Sequence, residues 1–407
     1  MQYDAIIVGG GPSGSFTAAN IAKNGFSVLM IEEHKKIGEP VQCAGLVSPR
    51  TLALASAPEN IVLKSYWGAR ILSPLGAELP VSGDRIYAQA VDRAAFDRHV
   101  AGLAEQAGAD IITGARAAGI TRVRDGFRVN INTDRKIEAI KCRLLIGADG
   151  VNSRVARWLG LPPAGSKVAM YAGELELQTG NQEEVSILLG QTFAPGWFGW
   201  VIPLASSQAR VGVGSFYGGR SPRYYLKKMT ESFPGIFRNF RELRYTGGTV
   251  PFGPMKKIFS SHAMLVGDAA AQVKPMSGGG LYTGMRGAQI CALVASQALT
   301  NDRLEERHLA DYQKLWDSEF KVEFQSSVWY REVYDGMNDR EADSLLRFLS
   351  RPYWRKLIAR HGDIDYPSWL AGRLYGAGPW LQKFARAAVG MVGGGENYIK
   401  TSSGERF

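Results

Sequence analysis

The chain has 407 residues, of which 45% are hydrophobic and 21% are charged, and it carries a formal net charge of +10. Its length is enough for two or three domains, and its composition is that of an ordinary soluble protein rather than a disordered one. No apolar run reaches the length of a membrane span and no signal peptide precedes the first predicted strand, so we expect a cytoplasmic protein.

The first turn of the chain carries the strongest pattern in the sequence. A predicted strand over residues 4–8 leads into a turn with Gly9, Gly11 and Gly14, then a helix, then a second strand that ends at Glu32. In such a unit the first glycine makes the tight turn, the second lets the backbone approach a pyrophosphate, and the third lets the helix pack closely. The helix N-terminus favours phosphates, and the acid is placed to bind a ribose. We therefore predict a dinucleotide-binding unit.

The elements that follow alternate between short strands and helices. The patterns predict antiparallel strands over 61–90, a helix over 92–106 with Asp92 as its N-cap, a hairpin over 119–131 and 137–146, a twisted antiparallel sheet over 167–250, a strand over 264–266, a helix over 280–299, and helices from about 305 onward. Five tryptophans of this last region, which we interpret as helix packing rather than a membrane belt, are Trp316, Trp329, Trp354, Trp369 and Trp380.

Two later strands each end beside an aspartate. A buried run over 144–148 precedes Asp149, and a second run over 263–267 precedes Asp268. Capping of the following helix would explain either aspartate alone, but it explains the ordered set of motifs poorly. Asp268 suits a ribityl or ribose hydroxyl, and the three glycines at 278–280 would let backbone N–H groups approach a flat ring system.

Together these motifs resemble the FAD-containing hydroxylase superfamily over roughly the first 300 residues. The resemblance implies an α/β (α+β overall) protein with non-covalent FAD. It also implies a discontinuous glutathione-reductase-like FAD-binding Rossmann domain, an inserted antiparallel-sheet substrate domain and a helical C-terminal region. The predicted bounds are 1–60, 90–165 and 255–300 for the FAD-binding domain, 61–89 and 166–254 for the substrate domain, and 301–407 for the helical region.

Within that superfamily the chain resembles the geranylgeranyl reductase family, which includes archaeal digeranylgeranylglycerophospholipid reductases. The stretches that carry this resemblance are the loop GEPVQCAG at 38–45, the helix start VDRAAFD at 91–97, the aromatic motif PGWFGWVIP at 195–203 with the glycine-rich strand ARVGVG at 209–214, and GGGLY at 278–282. Two residues depart from the family pattern. Gly45 stands where the cysteine loop usually has an acid, and Ile202 stands where phenylalanine is usual.

The motifs and the resemblance imply a set of cofactor contacts and a reaction. The expected cofactor-binding residues are Gly9, Gly11, Ser13, Gly14, Glu32, Cys43, Ala44, Arg93, Ala117, Asp149, Asp268, Gly280 and Leu281. The implied reaction reduces carbon–carbon double bonds of a polyprenyl chain, with hydride from N5 of reduced FAD and a proton from a second donor. Cys43 is the candidate catalytic residue, as a proton relay or as a gate of its loop; packing as a small hydrophobe is the alternative.

The aromatic motif has two interpretations. Trp197, Trp200 and Pro203 are candidates for the wall of an apolar substrate tunnel, and packing in the sheet core is the alternative. In a tunnel, the faces of the two tryptophans could stabilise a developing tertiary cation on the alkene.

Other functions and partners stay open at this point. The same fold serves aromatic-ring monooxygenases and halogenases, and a non-catalytic flavin-binding redox protein is a third hypothesis. No second glycine-rich unit marks a nicotinamide domain, so the electron donor is NAD(P)H, ferredoxin or an F420-type cofactor. The substrate is a prenylated lipid or prenyl diphosphate, and the positive charge favours peripheral contact with an anionic membrane at its inner face. Neither nucleic acid, since no concentrated basic run occurs, nor a metal site is predicted.

Overall fold

The computed structural model of the protein describes residues 2–370 except 135, 136, 181, 217 and 218. Its strands are β1 Gln2–Val8, β2 Val28–Glu32, β3 Leu46–Val47, β4 Val62–Tyr66, β5 Gly68–Leu72, β6 Glu78–Ser82, β7 Ala88–Val91, β8 Asp110–Thr113, β9 Ala115–Val123, β10 Gly126–Thr133, β11 Ile137–Gly147, β12 Ser166–Glu176, β13 Glu184–Leu188, β14 Gly199–Ala205, β15 Gln208–Ser215, β16 Arg241–Phe252, β17 Phe259–Ser260 and β18 Ala263–Leu265. Its α-helices are α1 Pro12–Lys23, α2 Pro49–Leu54, α3 Arg93–Gln106, α4 Arg154–Trp158, α5 Pro222–Ser232, α6 Leu281–Thr300, α7 Glu306–Asp335, α8 Asp339–Leu349 and α9 Pro352–His361.

The first sheet is the mixed α/β layer that the opening motif predicts. Its strands run in the order β17-β18-β11-β1-β2-β8, and the β9–β10 hairpin joins it through β11. The pairs β18–β11, β11–β1, β1–β2 and β2–β8 are parallel, whereas β17 is antiparallel to β18 and β10 is antiparallel to β11. Helices α1, α3 and α6 pack together over this sheet. Strands covered on both faces must be apolar throughout, as they are at Ile6 and Ile7, which are fully buried.

The second sheet has seven strands in the order β16-β12-β15-β14-β13-β5-β6. The predicted antiparallel arrangement holds for its neighbouring pairs apart from β5 and β13, which are parallel. A long stretch of chain separates these two strands, so no tight hairpin fixes their relative direction. Helix α5 interrupts the stretch that the alternating pattern predicts as sheet. It begins at Pro222 behind an N-cap, Ser221, whose side chain accepts a hydrogen bond from the Tyr224 amide.

A small sheet of β3, β7 and β4 connects the two larger ones. It pairs Leu46, just after the predicted cysteine loop, with Ala90, just before α3. Asp92 then caps α3 as predicted, and its carboxylate accepts a hydrogen bond of 3.0 Å from the Ala95 amide. The small sheet therefore holds the cysteine loop next to the start of α3. The division into domains stays a prediction.

The chain beyond residue 305 is helical in its described part, as predicted. Trp316 and Trp354 are buried, whereas Trp369 is half exposed, and Trp380 lies outside the described residues. Helices α8 and α9 pack on β6, the last strand of the seven-stranded sheet, and so cover its edge. None of the helices described between residues 2 and 370 is both long and apolar enough to cross a membrane.

Candidate functional site

The glycine turn after β1 is built by close backbone packing. Gly9 has a φ of +111°, and a Cβ atom there would lie 2.3 Å from the carbonyl oxygen of Ala148. A Cβ atom at Gly14 would lie 2.0 Å from the Gly9 carbonyl oxygen. By contrast, a Cβ atom at Gly11 would meet no heavy atom within 4 Å. The first and last glycines thus permit the turn, and Gly11 faces open space at the start of α1, where backbone amides favour an anion.

Glu32 ends β2 directly beside this turn. One carboxylate oxygen accepts a 2.7 Å hydrogen bond from the Gly10 amide, and the other accepts a 2.8 Å bond from the His34 amide. These bonds fix the carboxylate next to the open face of the turn. The predicted ribose contact is compatible with this position, since a carboxylate has further lone pairs, and it stays a prediction.

Ser13 lies at the contact between α1 and α6. A Cβ atom at Gly267 or at Gly284 would lie 2.6 Å from the Ser13 hydroxyl oxygen. The side chain is therefore enclosed between two glycines that come from far along the chain. Its predicted contact with FAD stays a prediction.

Asp149 uses its carboxylate to begin α4. It accepts hydrogen bonds of 2.6 Å from the Ser153 hydroxyl, 2.6 Å from the Arg154 amide and 3.1 Å from the Val155 amide. The capping interpretation accounts for these contacts. Ala117 is buried nearby, and its carbonyl accepts a 3.1 Å bond from the Arg154 guanidinium. The cofactor contacts predicted for both residues stay predictions.

Arg93 lies at the start of α3, beside the cysteine loop. Its guanidinium is 2.8 Å from a carboxylate oxygen of Asp97 and also contacts the Cys43 thiol. Burial opposes the positive charge, but these two partners outweigh it and raise the pKa of Arg93. The residue is a fixed cation next to the thiol rather than a solvated surface charge.

Asp268 offers a carboxylate that fits a hydroxyl group of a bound cofactor. Burial raises the pKa of its carboxyl to about 6. Among the residues that the structure describes, none donates a hydrogen bond to the Asp268 carboxylate. Both carboxylate oxygens are therefore available to accept a hydrogen bond from a ligand hydroxyl. A Cβ atom at Gly280 would lie 3.1 Å from a carboxylate oxygen of Asp268, which places this acid beside the start of α6 and Leu281. The open Gly11 and the unmatched acid together fit FAD.

A cleft of about 920 Å³ lies between the cysteine loop and the seven-stranded sheet. One wall carries Cys43, Ala44 and Arg93, and the opposite wall carries Glu174 and Trp200. The remaining lining residues are His34, Lys35, Lys36, Glu39, Pro40, Val41, Leu63, Asp92, Ala94, Ala172, Gly173, Arg210, Arg244, Tyr245 and Thr246. The cleft therefore brings the predicted catalytic thiol and one predicted tunnel residue to the same space.

The three predicted tunnel residues occupy different surroundings. Trp200 lines the cleft. Trp197 is 1% exposed and lies below Gly278, at which a Cβ atom would be 3.1 Å from its ring. Pro203 is buried in β14, and its carbonyl accepts a 2.6 Å hydrogen bond from the Tyr66 hydroxyl. Of the three, Trp200 lines the cleft with 9% of its surface exposed, and the tunnel roles of all three stay predictions.

Sequence reasoning assigned no role to Arg210, Glu174 or the pair Lys274 and Asp365. Glu174 and Arg210 meet across neighbouring strands at 3.2 Å on the wall of the cleft. Lys274 is buried just before the three glycines and lies 2.7 Å from Asp365. For Arg210 the available signal was a charged residue inside an otherwise apolar, glycine-rich strand, which needs a partner when buried.

Comparisons with known proteins support an FAD-binding fold. Residues 7–45 match the family described as NAD(P)-binding Rossmann-like domain, and residues 74–231 match the FAD binding domain family. Fold and site together define an FAD-dependent oxidoreductase.

Similar proteins of known name narrow the class of FAD-dependent oxidoreductases to one family. The chain is 34% identical to digeranylgeranylglycerophospholipid reductase 1 of Methanococcoides burtonii, over 88% of this chain and 90% of the relative. It is 32% identical to digeranylgeranylglycerophospholipid reductase 2 of Methanothermobacter thermautotrophicus, over 86% of this chain and 92% of the relative. A crystal structure of a geranylgeranyl bacteriochlorophyll reductase-like protein from Thermoplasma acidophilum has a TM-score of 0.85 and 25% identity, and the match covers 95% of this chain and 99% of that chain. The chain belongs to the geranylgeranyl reductase family of digeranylgeranylglycerophospholipid reductases.

Proposed function

We propose that this protein saturates carbon–carbon double bonds in the geranylgeranyl chains of digeranylgeranylglycerophospholipids. One observation carries the proposal: the chain matches reductases named for this substrate over 90% and 92% of their lengths. The cleft supports it, because Trp200 and Tyr245 add aromatic side chains to its partly charged lining, in the same space as the Cys43 thiol. A long apolar chain needs such apolar surface to lie against and to exclude water.

In the proposed reaction, the cofactor supplies the hydride and the protein supplies the binding contacts and the proton. Reduced FAD, when bound, supplies the hydride for one alkene carbon. Asp268 and the amides around Gly11 would hold the cofactor, and Trp200 would hold the alkene and stabilise positive charge on it. Cys43 is the donor in the cleft for the proton that the second alkene carbon requires. Glu174 does not serve as that donor: burial favours its protonation, but hydrogen bonds from Arg244 and Arg210 outweigh it and lower its pKa.

The substrate must leave a lipid bilayer to reach the cleft. We therefore also propose peripheral contact with an anionic membrane surface, which the formal net charge of +10 favours. NAD(P)H, ferredoxin and an F420-type cofactor are the candidate electron donors. Anaerobic flavin reduction assayed with each donor in turn would identify the productive one.

The decisive experiment is anaerobic reoxidation of the reduced holoenzyme. Addition of digeranylgeranylglycerophospholipid in detergent micelles should restore the absorbance of oxidised flavin and yield lipid heavier by two hydrogens for each bond reduced. The matched control is the fully saturated lipid, which should leave the flavin reduced. No reoxidation by the unsaturated lipid, with a flavin hydroperoxide absorbance on admission of air and an aromatic substrate, would instead establish a monooxygenase or halogenase.

A further inference from the structure

Arg210 connects the seven-stranded sheet to the cysteine loop. One guanidinium nitrogen donates hydrogen bonds of 2.9 Å to the carbonyl of Ala44 and 2.9 Å to the carbonyl of Val91. We propose that Arg210 is the positioning residue that fixes the Cys43 thiol in the cleft and couples it to the substrate-facing sheet. This inference rests on the proposed function for its catalytic meaning, although its structural content can be tested separately.

The loop is shaped to receive this guanidinium. Gly45 has a φ of +67°, and a Cβ atom there would lie 2.5 Å from the Arg210 nitrogen that binds the loop. A side chain at position 45 would therefore displace the guanidinium, and its Cβ atom would also lie 2.9 Å from the Val91 carbonyl oxygen. With glycine at position 45, the guanidinium reaches the Ala44 carbonyl and tethers the loop to the second sheet.

The carbonyl that Arg210 binds belongs to Ala44, which directly follows Cys43 in the chain. The Gly45 amide lies 3.4 Å from the Cys43 sulfur, and the Gly45 carbonyl accepts a 2.8 Å hydrogen bond from the Val91 amide. The arginine thus binds Ala44, the residue between the thiol and Gly45, and also binds Val91, to which Gly45 is joined. Loss of the guanidinium would leave two largely buried carbonyls without their charged donor, which favours opening of the loop.

The arginine itself is held rigidly by the sheet. Arg210 and Glu174 are directly opposite on β15 and β12, with 3.2 Å between the guanidinium and the carboxylate. Glu174 also accepts a 2.7 Å bond from Arg244. Arg210 is 9% exposed, so its charge is stabilised by these contacts and little by water. A movement of the sheet wall on substrate entry would therefore be transmitted to the thiol loop.

Hydrogen–deuterium exchange of the FAD-loaded protein without substrate tests the tether. In Arg210→Met, amides of peptides covering residues 41–47 and 88–92 should exchange about tenfold faster than in the wild type, since charged hydrogen bonds are lost. Arg210→Lys should recover part of the protection, because an ammonium keeps the charge but not the planar fork. The matched control is Arg241→Met, which removes an arginine of the same sheet that pairs at 2.6 Å with Glu176, and it should leave both peptides unchanged.

Two further outcomes complete the test. If Arg210→Met does not fold, Glu174→Gln keeps the arginine but neutralises its anchor and should raise exchange in the same two peptides. Wild-type exchange in these peptides, or an equal rise across the whole sheet, would overturn the proposal, because either result assigns Arg210 a general structural role at most. Faster local exchange supports the tether even if the prenyl lipid fails to reoxidise the flavin. The experiments can therefore contradict the proposed tether without contradicting the proposed substrate, and the reverse.

Discussion

The guanidinium of Arg331 lies over the indole ring of Trp197, with its central carbon 4.0 Å from the ring centroid. The guanidinium also donates a 3.2 Å hydrogen bond to the Gly196 carbonyl. Burial lowers the pKa of Arg331 to about 10, which still leaves it a cation at neutral pH. A cation thus already occupies the electron-rich surface of Trp197 and would repel a second positive charge there. Under the proposed function, stabilisation of a cationic alkene would therefore fall to Trp200.

The first prediction separates the two tryptophans. Trp200→Leu should slow reoxidation of the reduced enzyme by prenyl lipid by about tenfold, since it removes an aromatic face worth about 1 kcal/mol or more to a cation. Trp197→Phe should lower the melting temperature but leave reoxidation near the wild-type rate, because the ring is core packing. Stopped-flow absorbance and thermal unfolding measure the two effects. A reversed order of reoxidation rates would contradict this assignment.

The second prediction concerns two glycines of one turn. Gly14→Ala should destabilise the protein severely, because the new Cβ atom would lie 2.0 Å from a backbone oxygen. Gly11→Ala should fold normally, since its Cβ atom points into open space, but should bind FAD more weakly. Thermal unfolding of the apoproteins and flavin titration distinguish these results. Equal stability of both variants would show that the turn tolerates a side chain at either position.

The third prediction is that Asp268→Asn weakens FAD binding and stabilises the apoprotein. The variant removes a charged acceptor for a cofactor hydroxyl, at about 1–3 kcal/mol of binding free energy. It also removes a carboxylate whose pKa burial raises from 3.8 to about 6. Flavin titration and apoprotein melting at neutral pH measure the two changes. Asp268→Ala with full flavin occupancy would remove this acid from the site.

The same residue sets a pH dependence. Folded apoprotein binds the Asp268 proton below about 6, whereas the unfolded chain releases it near the ordinary 3.8. This group's contribution to the free energy of unfolding is therefore full below the lower value and is lost as the pH rises through about 6. FAD affinity should move oppositely and rise with pH through about 6, because a cofactor hydroxyl favours the ionised carboxylate. Both trends should disappear in Asp268→Asn, and their persistence would assign them to another group.

The fourth prediction concerns Cys43. Cys43→Ser should keep the fold and FAD but slow alkene reduction, and Cys43→Ala should slow it further if the thiol relays a proton. Cys142 provides the matched control. It is buried in strand β11 of the first sheet, so Cys142→Ala should leave the reoxidation rate unchanged. Wild-type reoxidation in both Cys43 variants would reduce this residue to packing.

The fifth prediction concerns the membrane. Turnover of lipid substrate should rise with the fraction of anionic lipid in vesicles and fall with ionic strength, because salt screens attraction between a basic protein and a negative surface. Vesicle co-sedimentation under the same conditions gives binding directly. Turnover that is indifferent to both variables would refute the role of net charge but not the assignment of the enzyme.

Local patterns were sufficient to predict the first sheet but not the walls of the cleft. The glycine turn and the Asp92 cap depend on neighbouring residues, so periodicity and spacing reveal them. Helix α5 was missed because the alternating pattern around it outweighed the start signal of Ser221 and Pro222. The pair Arg210 and Glu174 depends on strand register, and Lys274 and Asp365 meet only after the C-terminal helices have folded back. In the sequence, such contacts are visible only as a single charged residue within an apolar segment.

Because Ser13 is enclosed between Gly267 and Gly284, the packing around it constrains which residues can evolve at distant positions of the chain. A larger residue at either glycine would strike the serine hydroxyl, which lies 2.6 Å from both sites. At Gly284 such a change would survive only together with a smaller residue at position 13, whereas at Gly267 the φ of +66° disfavours a side chain in any case. In related sequences positions 13 and 284 should therefore vary in concert, and a chimera that takes α1 from one relative and α6 from another should fold only when these two residues come from compatible parents.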